Sequence, residues 1–137
     1  MKKLISLLLA LIIVMSAASV FAEDIAVTVN GEAVEFDQAP ELIDEVLMLP
    51  LRFIAEKLNA NVNWYGETQT VFTDCEGTIS TIQINNENLF IGDEAVKLEK
   101  APMLKNDRTL VPAAVIEKGT GATIVWDKDN LTVTITK

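Results

Sequence analysis

The chain has 137 residues, half of them apolar and 23% charged, a composition that excludes disordered or collagen-like polymers and fits one domain, or two very small ones sharing a core. It holds no histidine and one cysteine, Cys75, which removes the commonest general base and any His or multi-Cys metal cage within one chain. Eleven Lys and Arg against twenty Asp and Glu give a net charge of −9, the wrong sign for a protein that follows a phosphate backbone, so nucleic acid is not an expected partner.

The chain opens with Lys2 and Lys3, an apolar run from Leu4 to Met15 interrupted only by Ser6, and then the small-residue stretch Ser16 to Ala22 ahead of Glu23 and Asp24. That order is a secretory signal peptide with Val20 and Ala22 at the −3 and −1 positions, so residues 1–22 are predicted to be removed. The alternative is an uncleaved anchor helix, since Leu4 to Ala22 is nearly long enough to span a bilayer. No cysteine lies near the cleavage site to carry a lipid. The expected product is a secreted or cell-envelope protein without a membrane span. It loses Lys2 and Lys3, which takes the net charge from −9 to −11.

Beyond the leader the sequence matches itself at an offset of 62 without a gap. Glu32-Ala33-Val34 falls on Glu94-Ala95-Val96, Ala39-Pro40 on Ala101-Pro102, Pro50 on Pro112, Ile54 on Ile116, Trp64 on Trp126 and Thr70-Val71 on Thr132-Val133. Two prolines and a tryptophan at fixed spacing mark a duplicated unit, with repeat 1 at 23–78 and repeat 2 at 79–137. In chain order, Ile25 to Val29 and Ala33 to Phe36 alternate around Asn30-Gly31, a hairpin signal. Pro50 suits the first position of a helix whose Leu51, Ile54, Ala55 and Leu58 form one apolar face. A second hairpin follows, with Val62 and Trp64 on one face and Asn61 and Asn63 on the other. In the second copy Ile79 to Ile84, Leu89 to Ile91 and Ala95 to Leu98 read as strands. Its helix starts at Pro112, and Gly119-Thr120-Gly121 predicts an end about a turn earlier than in the first copy. The fold class is therefore α+β: two β-β-α-β-β units, each a small antiparallel sheet wrapped on a short helix, with room for a short extra strand before the helix, and the two packed together as one compact tandem domain.

Val29-Asn30-Gly31, Pro40, Leu49-Pro50-Leu51-Arg52-Phe53-Ile54-Ala55-Glu56, Asn63-Trp64 and Gln69-Thr70-Val71 resemble the repeat of the copper amine oxidase-like N-terminal domain, or stalk domain. Asp107-Arg108-Thr109-Leu110-Val111-Pro112, Val125-Trp126-Asp127 and Thr132-Val133-Thr134-Ile135 match the same pattern again. The resemblance implies an exported, commonly tandem module in which a small antiparallel sheet wraps a helix, and which does not carry out oxidase chemistry itself. With no histidine for copper and a single tyrosine, Tyr65, the chain lacks the oxidase ligand set. Two departures stand out. Val46 replaces the arginine seen at Arg108, and Ala113-Ala114 stand where the first copy has Leu51-Arg52.

No residue is predicted to be catalytic, and no cofactor or metal is expected. Pro50, Ile54, Trp64, Val71 and their counterparts Pro112, Ile116, Trp126 and Val133 read as the structural core of the repeats, with sugar stacking as the other use for the two tryptophans. Tyr65 and Phe72 fall on the opposite face, where Phe72 replaces what is Thr134 in the other copy; they read either as a partner surface or as a contact with the other repeat. Glu35, Asp37, Glu41, Asp44 and Glu45 crowd around Pro40, but their spacing matches no calcium loop. Residues 23–78 carry twelve acids and two bases, and residues 79–137 eight acids and seven bases, so the copies differ by nine charges. Cys75 has no base to make it a nucleophile, and Asn130-Leu131-Thr132 is a glycosylation sequon by pattern only. The sequence thus predicts a non-catalytic, exported binding or scaffolding module whose partner is a protein or cell-wall component. The alternatives are a calcium- or glycan-binding accessory protein and a small inhibitor or subunit of an exported enzyme.

Overall fold

The computed structural model describes residues 24–137; the leader assigned from the sequence lies outside the described residues. Among the described residues, thirteen strands and two short helices make a mostly β, α+β fold. Strands β1 (Ala26–Val29), β2 (Glu32–Val34), β3 (Glu41–Ile43) and β4 (Val46–Pro50) lead into helix α1 (Leu51–Lys57) and strands β5 (Asn61–Tyr65) and β6 (Thr70–Cys75). After β7 (Thr78–Gln83), the order recurs as β8 (Asn88–Ile91), β9 (Glu94–Lys97), β10 (Met103–Lys105), β11 (Arg108–Pro112), helix α2 (Ala113–Thr120), β12 (Thr123–Asp127) and β13 (Thr132–Thr136). Shifted by 62 residues, β1, β3, β4 and β5 coincide with β8, β10, β11 and β12 at both ends. Two strands, not one short extra strand, separate each first hairpin from its helix. The residues responsible are Asp44-Glu45 and Asn106-Asp107, all at positive φ, which close tight hairpins in the polar loops and let the flanking residues pair.

The three sheets do not follow the halves of the chain. The central sheet runs β10-β11-β4-β3, the second β5-β6-β7-β8-β9 and the third β12-β13-β1-β2. In the central sheet β4 and β11 are antiparallel with Met48 opposite Pro112, Leu49 opposite Val111 and Pro50 opposite Leu110. Since these residues are one another's counterparts at the 62-residue offset, a pseudo-twofold axis passes between Leu49 and Val111. The first hairpin of each half completes the sheet begun by the second hairpin of the other. An all-antiparallel sheet for each unit is therefore not what forms: β1 lies parallel to β13, with Val27 beside Val133 and Val29 beside Ile135. The reason is burial. Both helices and the inner faces of all three sheets contribute to one core cluster that includes Leu49, Ile54, Val71, Val111, Ile116 and Val133, and apolar strands from either half lower their free energy only by facing it.

β7 has no counterpart among the described residues, because the offset carries it into residues 16–21. It enters between β6 and β8, where β13 and β1 meet directly in the third sheet. Its arrival explains why α2 does not end early. A Cβ on Gly119 would sit 2.8 Å from Ser80 Oγ, so glycine in the last turn is what lets α2 lie close on β7. Thr120 Oγ1 donates to the Ile116 carbonyl and accepts from the Ala122 N–H, and Gly121 caps the end at φ 83°. At eight residues, α2 is one longer than α1.

Candidate functional site

A cleft of about 300 Å³ opens where the two halves meet. Pro50, Leu51, Val62 and Val71 line it from the first half, and Leu104 and Thr109 from the second. Arg52, Phe53 and Trp64 of the first half and Asp107 and Arg108 of the second complete the lining. Arg52 and Arg108 are the chain's two arginines, and both line this one cleft. The cross-pairing of the sheets brings them there: Arg52 rides on the first turn of α1, and Arg108 opens β11, which pairs with β4 just before that helix.

Each guanidinium is held at one end. Arg108 donates from Nε and Nη2 to the Asp37 carboxylate in a bidentate fork and lies 5.8 Å from the centroid of the Phe53 ring. Phe53 is braced in turn edge-to-face on Phe36, 5.9 Å away. The hydrogen bond from Arg108 holds the Asp37 carboxyl below its ordinary range, and the same contact raises the guanidinium. Arg52 Nη1 donates to the Val62 carbonyl at 3.1 Å and approaches Glu56 at a looser 3.6 Å. The remaining N–H groups of both arginines are available to a ligand, since a guanidinium carries five donors.

The pseudo-twofold axis supplies an internal comparison. At the equivalent positions Ala113 and Ala114 replace Leu51 and Arg52, and Val46 replaces Arg108. Trp126 there is half-buried against the core, whereas Trp64 is 40% exposed. Of the eight residues assigned to the repeat core, Pro50, Ile54, Val71, Pro112, Ile116 and Val133 are buried, Trp126 is half-buried, and Trp64 is the correction. Ala113 and Ala114 are smaller than Leu51 and Arg52, which line the same cleft as Trp64. Sequence reading passed over Arg52, Arg108, Phe53 and Leu104 as a site. The signal that could have found them was the pair of departures between the copies, which become one feature only when the halves interlock.

Tyr65 and Phe72 stand together elsewhere, on the outer face of the second sheet, with rings 5.3 Å apart in an edge-to-face contact. They are 54% and 37% exposed and touch each other rather than the core of the other half. The strip continues through Thr81, opposite Phe72, to the exposed Phe90. The acidic stretch around Pro40 is dispersed. Asp37 is held by Arg108, Glu41 by Lys105 and Asp44 by Lys100, all cations of the second half. The charge imbalance between the copies thus acts inside the molecule as attraction. Cys75 is buried, with its sulfur 3.8 Å from the Leu58 carbonyl and 3.3 Å from Lys137 Nζ.

The interlocked fold extends over the span that comparison with known families picks out, residues 28–135, which match the copper amine oxidase N-terminal domain. The chain belongs to the copper amine oxidase N-terminal domain family. The match covers both halves and all but the ends of the first and last strands, β1 and β13, so the cleft between the halves lies inside the family domain. A Brevibacillus choshinensis protein named "Protease inhibitor" is 27% identical over 120 residues, which is 88% of this chain and 37% of that protein. The chain therefore spans little more than a third of the length of that relative. No helix among the described residues is long and apolar enough to cross a membrane.

Proposed function

We propose that this chain is a non-catalytic, exported module of the cell envelope that binds a partner molecule in the cleft between its two halves. The observation that carries this reading is the convergence of both arginines and an exposed tryptophan on one cleft, with none of the three features repeated in the pseudo-equivalent position. Arginine forks recognise carboxylates in pairs of hydrogen bonds, and an indole face supplies apolar area beside them. The ligand is accordingly a carboxylate-bearing chain with an apolar neighbour, of protein or cell-wall origin. Three of the five carboxylates around Pro40 are engaged by cations of the other half, which favours this reading over calcium binding.

The test is capture from the organism's own envelope extract by residues 23–137, compared with the Trp64→Ala and Arg52→Ala variants, alongside assays for turnover of amines, peptides and glycans. A bound species lost in both variants, without turnover of any substrate, supports the proposal; equal capture by all three proteins, or reproducible hydrolysis, defeats it. The named relative favours a second reading, inhibition of an exported proteinase. Titration of proteinases with the purified domain separates the two, because an inhibitor abolishes turnover at stoichiometric ratio.

A further inference from the structure

We infer that the ligand of the cleft is the free carboxyl terminus of a peptide with a cationic side chain in its last two residues, which rests on the cleft being the binding site. The fork comes first. Arg108 spends its Nε and Nη2 edge on Asp37, and Arg52 spends Nη1 on the Val62 carbonyl and a loose approach to Glu56. Among the described residues the Nε and Nη2 edge of Arg52 has no partner, nor has Nη1 of Arg108. A carboxylate takes a whole guanidinium edge through two parallel hydrogen bonds, so Arg52 supplies the fork and Arg108 a single further donor.

Size favours a chain end. At about 30 Å³ for each water-sized group, the 300 Å³ of the cleft holds roughly ten such groups, or about two residues of a peptide. A side-chain carboxylate brings backbone in on both sides of it and needs more room than that. A terminal carboxylate stops the chain at the fork and leaves the space beside Phe53 and Trp64 for one apolar side chain.

The cation is required by Asp107. This residue lines the cleft from the turn before β11, is exposed, and among the described residues has no cation within ion-pair distance. With Asp37 and Glu56 beside the arginines, three carboxylates stand against two guanidiniums. A purely anionic chain, such as a polyuronate or a polyphosphate, adds to that surplus and is repelled. A ligand with one carboxylate and one ammonium satisfies Arg52 and Asp107 together. In a peptide end of two residues, the ammonium is the side chain of a lysine or another diamino acid.

Residues 23–137, which contain every described element, are titrated by calorimetry with acetyl-Lys-Leu and acetyl-Leu-Lys, each with a free or an amidated carboxyl terminus. Proton NMR follows the two indole N–H signals, the one missing from Trp64→Phe being that of Trp64. The expected result is that a free-terminus peptide of at least one order binds and shifts the Trp64 signal. Its amide should bind about tenfold more weakly, having lost a charge-assisted fork. Replacing the lysine by norleucine should weaken binding several-fold in the unchanged chain and have no effect in Asp107→Asn, which keeps its turn because asparagine tolerates the φ of 63° found there. Equal binding of free and amidated peptides, a norleucine effect that persists in Asp107→Asn, or no Trp64 shift at millimolar peptide overturns the inference. Tighter binding of acetyl-Leu-Glu amide or of a galacturonate trimer also overturns it, while leaving the cleft a carboxylate site of another kind. The cleft as a binding site fails separately, when Trp64→Ala and Arg52→Ala capture from envelope extract as the unchanged chain does.

Discussion

Leu49 and Val111, 62 residues apart in sequence, lie directly opposite each other across the pseudo-twofold axis of the central sheet, and both are fully buried. Around that pair the halves exchange hairpins, so neither half encloses a core of its own. Residues 23–77 and 78–137 expressed separately should each lack cooperative thermal unfolding, and mixing them should restore it. Circular dichroism melts of the fragments and of their mixture check this; a sharp transition in either fragment alone would contradict the interlocking.

The closeness of α2 to β7 makes a second prediction. Gly119→Ala places a methyl group 2.8 Å from Ser80 Oγ in a buried contact. Overpacking of this kind costs about 1–3 kcal/mol, offset by about 1 kcal/mol from the better helix propensity of alanine. The net loss should appear as a lower denaturation midpoint with an unchanged slope. Ser80→Ala removes the clashing hydroxyl, so the double variant should recover most of the loss, a coupling that a double-mutant cycle measures.

A third prediction separates the two tryptophans. Trp64 is 40% exposed at the cleft and Trp126 is half-buried against the core. Trp64→Phe should leave an emission spectrum shifted to the blue and poorly quenched by acrylamide, whereas Trp126→Phe should leave a red-shifted, readily quenched one. Trp126→Ala should cost more stability than Trp64→Ala, because truncating a side chain packed on a core removes more contacts. Equal quenching of the two single-tryptophan proteins would mean that the copies present their indoles alike.

Much of this architecture was legible in the sequence, and the limits have physical causes. The 62-residue offset placed the helices and most strands because proline at the first helical position and the Asn30-Gly31 turn act locally; Asn30 and Gly31 do adopt the positive φ values that such a turn demands. Strand partners are a different matter. Alternation says that Val27 and Val29 face a core, not that β1 lies beside β13. The cleft was hidden for the same reason, since Arg52 and Arg108 are 56 positions apart and meet only through the β4 and β11 pairing. Trp64 was misplaced because alternation assigns a face, and its face at a sheet edge is open to solvent.

The last prediction concerns pH. Asp37 and Asp44 are held below the ordinary aspartate value near 3.8 by hydrogen bonds from Arg108 and Lys100, and Glu76 below 4.5 by one from Lys137. A carboxylate whose pKa is lower in the folded state contributes stability that is complete above its unfolded value and disappears as the pH falls through its folded value. The Asp37 and Asp44 pairs tie the first half to the second, so acid weakens the junction that shapes the cleft. Thermal stability should hold steady from neutrality to about pH 5 and fall below the ordinary carboxylate values. Asp37→Asn should lower the plateau slightly, since exposed pairs contribute little, and should flatten the acid slope by removing one of the groups that generates it. Melting curves of the two proteins between neutral and strongly acidic pH, at low and high salt, measure the difference. An unchanged acid slope in Asp37→Asn would mean that the Arg108 fork does not couple protonation to folding.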